Sequence, residues 1–216
     1  MLEVYRFIFN PFQENSYVLI DDTKTCAIVD PGNLSDDENL RLKSFITENG
    51  LNPKMILLTH GHFDHICGVN FLTDEFGLPV YAHAKAQRMI DEAPEHGAAF
   101  GITITQPPAI NYKIEDGEEL SIGNSKLKVT HLPGHSEGSV FFYNAESKIA
   151  VVGDILFNGS IGRTDLPGGN LDDLLNGIRE KLLTLPDDIQ VFPGHGPETT
   201  IGVETKTNPF LDNQVL

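Results

Sequence analysis

Within Thr59-His60-Gly61-His62-Phe63-Asp64-His65, three imidazoles and a carboxylate fall directly after the apolar run Met55–Leu58. Imidazole nitrogen suits zinc, copper, iron and nickel, and two histidines with a carboxylate leave positions open for water, as catalytic rather than structural sites require. A chain that turns sharply at a strand end can aim His60 and His62 at one ion while Asp64 and His65 face a neighbour. Three other segments have the same form, an apolar strand ending in a ligand type: LKVTHLPGH ends at His135, IAVVGD at Asp154 and IQVFPGH at His195. Pro-Gly ahead of His135 and His195 marks tight turns that expose the next side chain. A lone histidine at a strand end is ordinary. Several strand ends delivering ligand types together point to a metal centre assembled from residues far apart in the chain. Cys26 and Cys67 lack CxxC spacing and give neither a thiolate site nor a disulfide framework, so histidine and carboxylate must hold the metal.

The elements that position these residues can be read from periodicity. Val4–Phe9, Tyr17–Ile20 and Cys26–Val29 are short apolar runs separated by the turn clusters NPFQENS and DDTK, the pattern of an antiparallel meander. Ser35 with Glu38 forms a capping-box signature ahead of Leu42, Phe45 and Ile46, which predicts a helix over Ser35–Asn49. Met55–Leu58 is a buried strand, followed by strands at Lys126–Thr130, Ser139–Tyr143, Lys148–Val152 and Ile189–Phe192. Leu171, Leu174, Leu175, Ile178, Leu182 and Leu185 recur with helical spacing after Asn170 until Pro186 stops them. Residues 94–111, rich in Ala, Gly and Pro and weakly periodic, read as a loop lying over the site. Two strand groups and one-faced helices are satisfied together by two sheets packed face to face with helices outside, a four-layer αββα sandwich of the α/β class.

At 216 residues and 40% hydrophobic, the chain can bury one sizeable core, and a single domain over residues 1–216 is expected. The formal charge of -16, with no local run of Lys or Arg, argues against nucleic-acid and membrane partners and for a small-molecule substrate. No signal-like or membrane-spanning apolar stretch is present, so a cytoplasmic location is expected.

The Thr59–His65 motif matches the THxHxDH signature of the metallo-β-lactamase superfamily, which the sequence resembles over nearly its whole length. The resemblance implies that His60, His62 and His135 bind a first metal, that Asp64, His65 and His195 bind a second, and that Asp154 bridges them. The ions would be two divalent cations, zinc by preference, with iron or manganese as substitutes. An aspartate bridge, rather than cysteine, is similar to the glyoxalase II side of the superfamily. There, water held between the cations ionises near neutral pH and attacks the carbonyl of an S-acylated glutathione, and the resemblance gives Asp64 and Asp154 the catalytic positions.

Arg163, in the Gly-rich stretch after Asp154, has two open readings. Its guanidinium could grip a substrate carboxylate, as a basic residue at this point in glyoxalase II holds glutathione, or it could pair with Asp165. Asp165 and Pro197 stand where that family has glutathione-contacting tyrosines. The chain also ends too soon for the family's additional C-terminal helical region, so it resembles the short, single-domain glyoxalase II-like proteins. Persulfide dioxygenases share a Gly-Arg-Thr-Asp segment and use one iron, which keeps an oxygenase as the rival reading. Asp30 is expected to orient a ligand or hold the Pro31-Gly32 turn, and His131 to serve structurally or behind the ligands. His83, at the start of the helix-like run AKAQRMIDE, and His96, in a polar loop, are expected to be solvated. Cys67 is expected to belong to the core.

Overall fold

The computed structural model describes residues 1–211. The first half of the chain builds one sheet from β1 (Leu2–Phe9), β2 (Glu14–Asp21) and β3 (Thr25–Val29), then, after helix α1 (Asp36–Glu48), β4 (Asn52–Leu57). Helix α2 (Val69–Phe76), β5 (Val80–His83), helix α3 (Gln87–Ala99) and β6 (Tyr112–Ile114) complete it. Its six strands lie in chain order, the first three antiparallel as expected, the last four parallel because a helical crossover precedes β4, β5 and β6.

The second half adds β7 (Glu119–Ile122), β8 (Ser125–His131), β9 (Val140–Asn144) and β10 (Ile149–Gly153). After it come the small hairpin β11 (Leu156–Phe157) and β12 (Ser160–Ile161), helix α4 (Leu171–Gly177), β13 (Gln190–Pro193), β14 (Thr199–Thr200) and helix α5 (Ile201–Thr207). The second sheet has the order β14-β13-β10-β9-β8-β7, with β10 and β13 parallel.

Side-chain alternation explains why the sheets stack. Along β3, Cys26 and Ile28 join an apolar cluster with Leu42 and Ile46 of α1, while Ala27 and Val29 face the other way into a cluster shared with Val129, Phe142 and Val151 of the second sheet. On the far side of that sheet, Phe141, Ala150 and Val152 pack on Leu174, Leu175 and Ile178. Three apolar interiors between four layers make the αββα sandwich, each fully buried Leu or Ile contributing about 1.5–3 kcal/mol. Asp21, buried at the end of β2, ties the sheets at one edge: it accepts from the Ser125 hydroxyl at 2.6 Å and the Asn124 amide at 3.2 Å. These and the Thr23 hydrogen bonds hold its carboxyl well below the usual range.

The α1 capping box is present in both directions, Ser35 Oγ accepting from the Glu38 amide and Glu38 from the Ser35 amide. Two expectations need correction. The loop expected from residue 94 onward is, up to Ala99, the second half of α3, with Pro94 inside the helix. Proline there removes one helical hydrogen bond, and burial of Ile90, Ala93 and Gly97 offsets that loss. The helix expected from Leu171 to Leu185 ends as α-helix at Gly177 and widens into a π-turn over Ile178–Leu182. Among the described residues no helix is long and apolar enough to cross a membrane.

Candidate metal centre

β4, β10 and β13 all end at one rim of the sandwich, where an α/β sheet places ligands. Beyond β4 the chain crosses the rim to a single 3-10 turn at Phe63–His65. His60 Nε2 and His62 Nδ1 then lie 2.9 Å apart, and His135 Nε2, from the β8–β9 connection, lies 2.9 Å from the same His62 nitrogen. Asp154 follows directly after β10. His195 follows β13 across Gly194, where a Cβ would stand 2.1 Å from Asp154 Oδ1, so only glycine allows the approach. His195 Nε2 is 3.2 Å from Asp64 Oδ2 and 3.3 Å from His65 Nε2. Two donor groups, His60-His62-His135-Asp154 and Asp64-His65-His195, reach the open rim, and a third, Asp30-His60-His65, is fully buried, the atoms of each within 4.8 Å of one another. Asp154 reaches both: its Oδ2 is 3.8 Å from His135 Nε2 and its Oδ1 3.4 Å from His65 Nε2.

The outer partners of the imidazoles assign their protons. His135 Nδ1 faces the Arg163 carbonyl at 2.9 Å, His195 Nδ1 the Phe12 carbonyl at 3.1 Å, and His65 Nδ1 the Asp30 carboxylate at 3.1 Å. Each partner only accepts, so each Nδ1 donates, and in the neutral ring Nε2 is the nitrogen left with a lone pair. The Thr59 hydroxyl donates to Asp30 Oδ2 at 2.5 Å and therefore offers lone pairs to His60 Nδ1 at 2.9 Å, giving His60 the same tautomer. In their neutral forms His65 and His195 thus turn lone pairs toward each other across 3.3 Å, and those of His60 and His135 converge on His62. Asp154 Oδ1 is buried with no hydrogen-bond partner. Such a set repels itself unless a cation lies within it, and an orphaned buried carboxylate oxygen is costly. The residues fit divalent metal ions.

Burial holds His60 and His135 below the ordinary histidine range and pushes His62 down to about 3, which keeps them neutral donors. Burial raises and the neighbouring imidazoles, His65 foremost, lower the Asp154 carboxyl, which ends well below its usual range and stays charged. Among the histidines, His65 and His195 depart from this pattern: at His195, burial lowers and the Asp64 carboxylate, with Asp154, raises the imidazole above its ordinary range. Burial works against the charge of His65, but Asp154 and Asp64 overrule it and raise the imidazole well above its ordinary range, so a cation binding there competes with a proton.

Behind the donors, Asp30 sits in the left-handed region at φ 46, buried, and also accepts from the Thr59 amide at 2.7 Å. It orients His65 and, through Thr59, His60, one of the two roles expected of it. The cluster also contains residues that the sequence reading passed over. Glu14 is fully buried, its Oε1 3.8 Å from His65 Nδ1, and burial pushes its carboxyl well up. Asn15 donates to the carbonyls of Pro193 and Gly196, and the Tyr17 hydroxyl to that of Pro193, so β2 clamps the segment carrying His195. NPFQENS has turn composition, and groups that act through backbone carbonyls leave no spacing signal.

A cleft of about 430 Å³ opens over the donors. Arg163 lines it, while Nε and Nη2 of its guanidinium each donate to Asp165 at 2.8 Å on the exposed surface. His96 also lines the cleft, from α3, instead of standing in a polar loop. His131 donates to or accepts from no donor of the cluster; it contacts the Glu137 carbonyl and stacks on a half-buried His83. Cys67 packs against the first core cluster, its thiol donating to the Phe63 carbonyl at 3.0 Å and pushed up to about 12 by burial, in keeping with a core residue.

A two-sheet sandwich with a histidine and aspartate cluster at its strand ends is a scaffold for metal-dependent chemistry. The family model described as the Metallo-beta-lactamase superfamily matches residues 9–195, and the chain belongs to that superfamily. It is 44% identical over 209 residues to a probable metallo-hydrolase, YqgX, of Bacillus subtilis, covering 96% of each chain. It is 40% identical to the hydroxyacylglutathione hydrolase GloC of Haemophilus influenzae, covering 94% of this chain and 95% of that one. Among solved structures, TTHA1623 in a di-iron-bound form superposes with a TM-score of 0.87 at 40% identity, over 96% of this chain and 100% of the other.

Proposed function

We propose that this protein is a binuclear metal-dependent thioesterase of the glyoxalase II type, acting on S-acylglutathione-like substrates. The carrying observation is the reach of Asp154 into two donor groups at once, His60-His62-His135 on one side and Asp64-His65-His195 on the other. The likeness to GloC supports the thioester class, and the likeness to the di-iron TTHA1623 supports two ions, with zinc preferred and iron or manganese as substitutes. When bound, such cations supply Lewis acidity and lower the pKa of water to about 7. The chain's own part is positional. Asp30, the Thr59 hydroxyl and the carbonyls of Phe12 and Arg163 fix the imidazole tautomers, Asp64 and Asp154 bring negative charge, and the cleft holds the acyl carbonyl over the rim. A thioester suits this arrangement because its thiolate leaves without general-acid help.

Elemental analysis of purified protein should find about two equivalents of divalent metal per chain, because seven donors exceed the four of one tetrahedral ion. S-lactoylglutathione should be hydrolysed by that preparation. A single iron with oxygen consumed on a persulfide would overturn this reading in favour of the dioxygenase.

Arg163 is proposed as the anchor for a carboxylate of the thiol portion. Its pair with Asp165 is exposed, and exposed pairs contribute only about 0–1 kcal/mol, so a substrate carboxylate can displace it. Arg163→Ala should raise KM for a carboxylate-bearing thioester far more than it lowers kcat, and do little to a neutral one. Equal losses on both substrates together with a lower melting temperature would leave Arg163 as a structural partner of Asp165.

A further inference from the structure

One wall of the cleft is aromatic, and it grows out of the donor segments themselves. Phe63 stands in the chain between His62 and Asp64, and the carbonyl of Phe12 holds His195. Their rings meet edge to face at 5.1 Å, and Phe100, at the end of α3, packs edge to face on Phe12 at 5.4 Å and stacks on Phe63 at 5.5 Å. Phe100 remains 65% exposed, and its ring lies against two others at the mouth of the cleft, so the three form a contiguous apolar surface rather than a single scattered residue.

Helix α3 extends this wall. Ile90, Ala93 and Gly97 face the core, whereas Met89, Glu92, His96 and Ala99 recur at helical spacing along the cleft. Glu92 is neutralised by Arg88, whose Nε donates to it at 2.9 Å, and no lysine lines the cleft among the described residues. The three rings can cover a hydrocarbon or a ring, while the polar side chains along α3, Glu92 and His96, stand beside them. The cleft volume of about 430 Å³ falls within the range of about 300–1,000 Å³ that small-molecule sites occupy.

We infer that the Phe12-Phe63-Phe100 wall is an acyl subsite, selecting thioesters whose acyl group is an uncharged hydrocarbon chain or aromatic ring over short hydroxyacyl groups. This rests on the thioester reading, with Arg163 taking the thiol portion and leaving the acyl side to the rings.

The test uses the metal-loaded protein and S-acyl glutathiones from acetyl to hexanoyl, beside S-lactoylglutathione. In parallel, binding is measured by calorimetry for the matching thioether ketones, in which a methylene separates sulfur from carbonyl so that no hydrolysis occurs. Both kcat/KM and affinity should climb about twofold per methylene, half the free energy of full burial, and hexanoyl should exceed lactoyl. Phe100→Ala should flatten the climb and Phe100→Leu restore part of it, while Leu40→Ala, an exposed apolar residue on α1, should leave it intact. Analogue binding that ignores chain length, or a climb unchanged in both Phe100→Ala and Phe12→Ala, overturns the acyl subsite, even if lactoylglutathione is hydrolysed. A binding climb that persists while no thioester is hydrolysed supports the subsite and sinks the thioesterase reading instead.

Discussion

Asp154→Ala is expected to lower hydrolysis by on the order of 10³-fold or more, since the metals' several kcal/mol of charge stabilisation depend on the residue that reaches both donor groups. The same variant should fold. Asp154 Oδ1 has no hydrogen-bond partner within the protein, so its removal leaves no protein donor stranded except His65, which can release its proton. Asp154→Asn, close in shape but neutral, should behave like the alanine variant in activity, which separates lost charge from lost packing. A second readout is thermal. Divalent metal should raise the melting temperature of the wild type, because a ligand that binds only the folded state stabilises it by about 4 kcal/mol at a thousand times its Kd. In both variants that rise should shrink. Turnover within a few-fold of wild type would show the donor assignment to be wrong.

The other large effect is expected at Asp30, which touches no substrate. In Asp30→Asn the amide oxygen can still accept from the Thr59 amide, but the amide nitrogen then meets two donors, the Thr59 hydroxyl and His65 Nδ1–H. Imidazole escapes such a clash by moving its proton to Nε2, the nitrogen that faces His195 and Asp154. Metal affinity should fall about 10–100-fold, the usual range when an outer partner of a ligand is lost. Asparagine tolerates the left-handed backbone at this position as aspartate does, so strain does not confuse the result. Competition with a chromophoric chelator measures the affinity, and nitrogen NMR of the imidazoles reports the tautomer directly. An unchanged tautomer with unchanged affinity would reduce Asp30 to a clasp for the turn at Pro31 and Gly32.

What could be read from the sequence follows from how local each signal is. The strands that carry the donors hold apolar runs that lead to the functional residues, so β10 and β13 are legible within a residue and the buried half of β4 likewise, while its exposed start, Asn52–Lys54, lacks the apolar signal. Helix α1 was evident from its capping box. The second half of α3 was not, because its buried face is made of Ala93 and Gly97 beside Pro94, small residues that raise no hydrophobic periodicity. Strands β5 and β6 have four and three residues, too few for alternation to register. The seven donor types nominated by spacing are those that the fold brings to one rim. Glu14, Asn15, Tyr17 and Phe12 reach the rim through hydrogen bonds to backbone or through burial, and no motif marks such roles.

The cluster straddles the seam between the sheets. His60, His62, Asp64 and His65 descend from the first sheet, whereas His135, Asp154 and His195 descend from the second, and a few hydrogen bonds join the halves at that rim, among them the clamps from Asn15 and Tyr17, the Phe12 carbonyl on His195 and the Val140 amide on the Thr59 carbonyl. Cations held there act as rivets. They close a loop spanning most of the chain, whose closure entropy the unfolded polypeptide would otherwise retain. Removing them should leave both sheets standing, each with its own helices, yet allow the seam to breathe at this end first. Amide exchange near Gly194 would then quicken before exchange in the sheet centres does. In a cell, a chain awaiting its metals would be most vulnerable to proteases along that seam, so cation supply would govern how long the protein survives as well as whether it works.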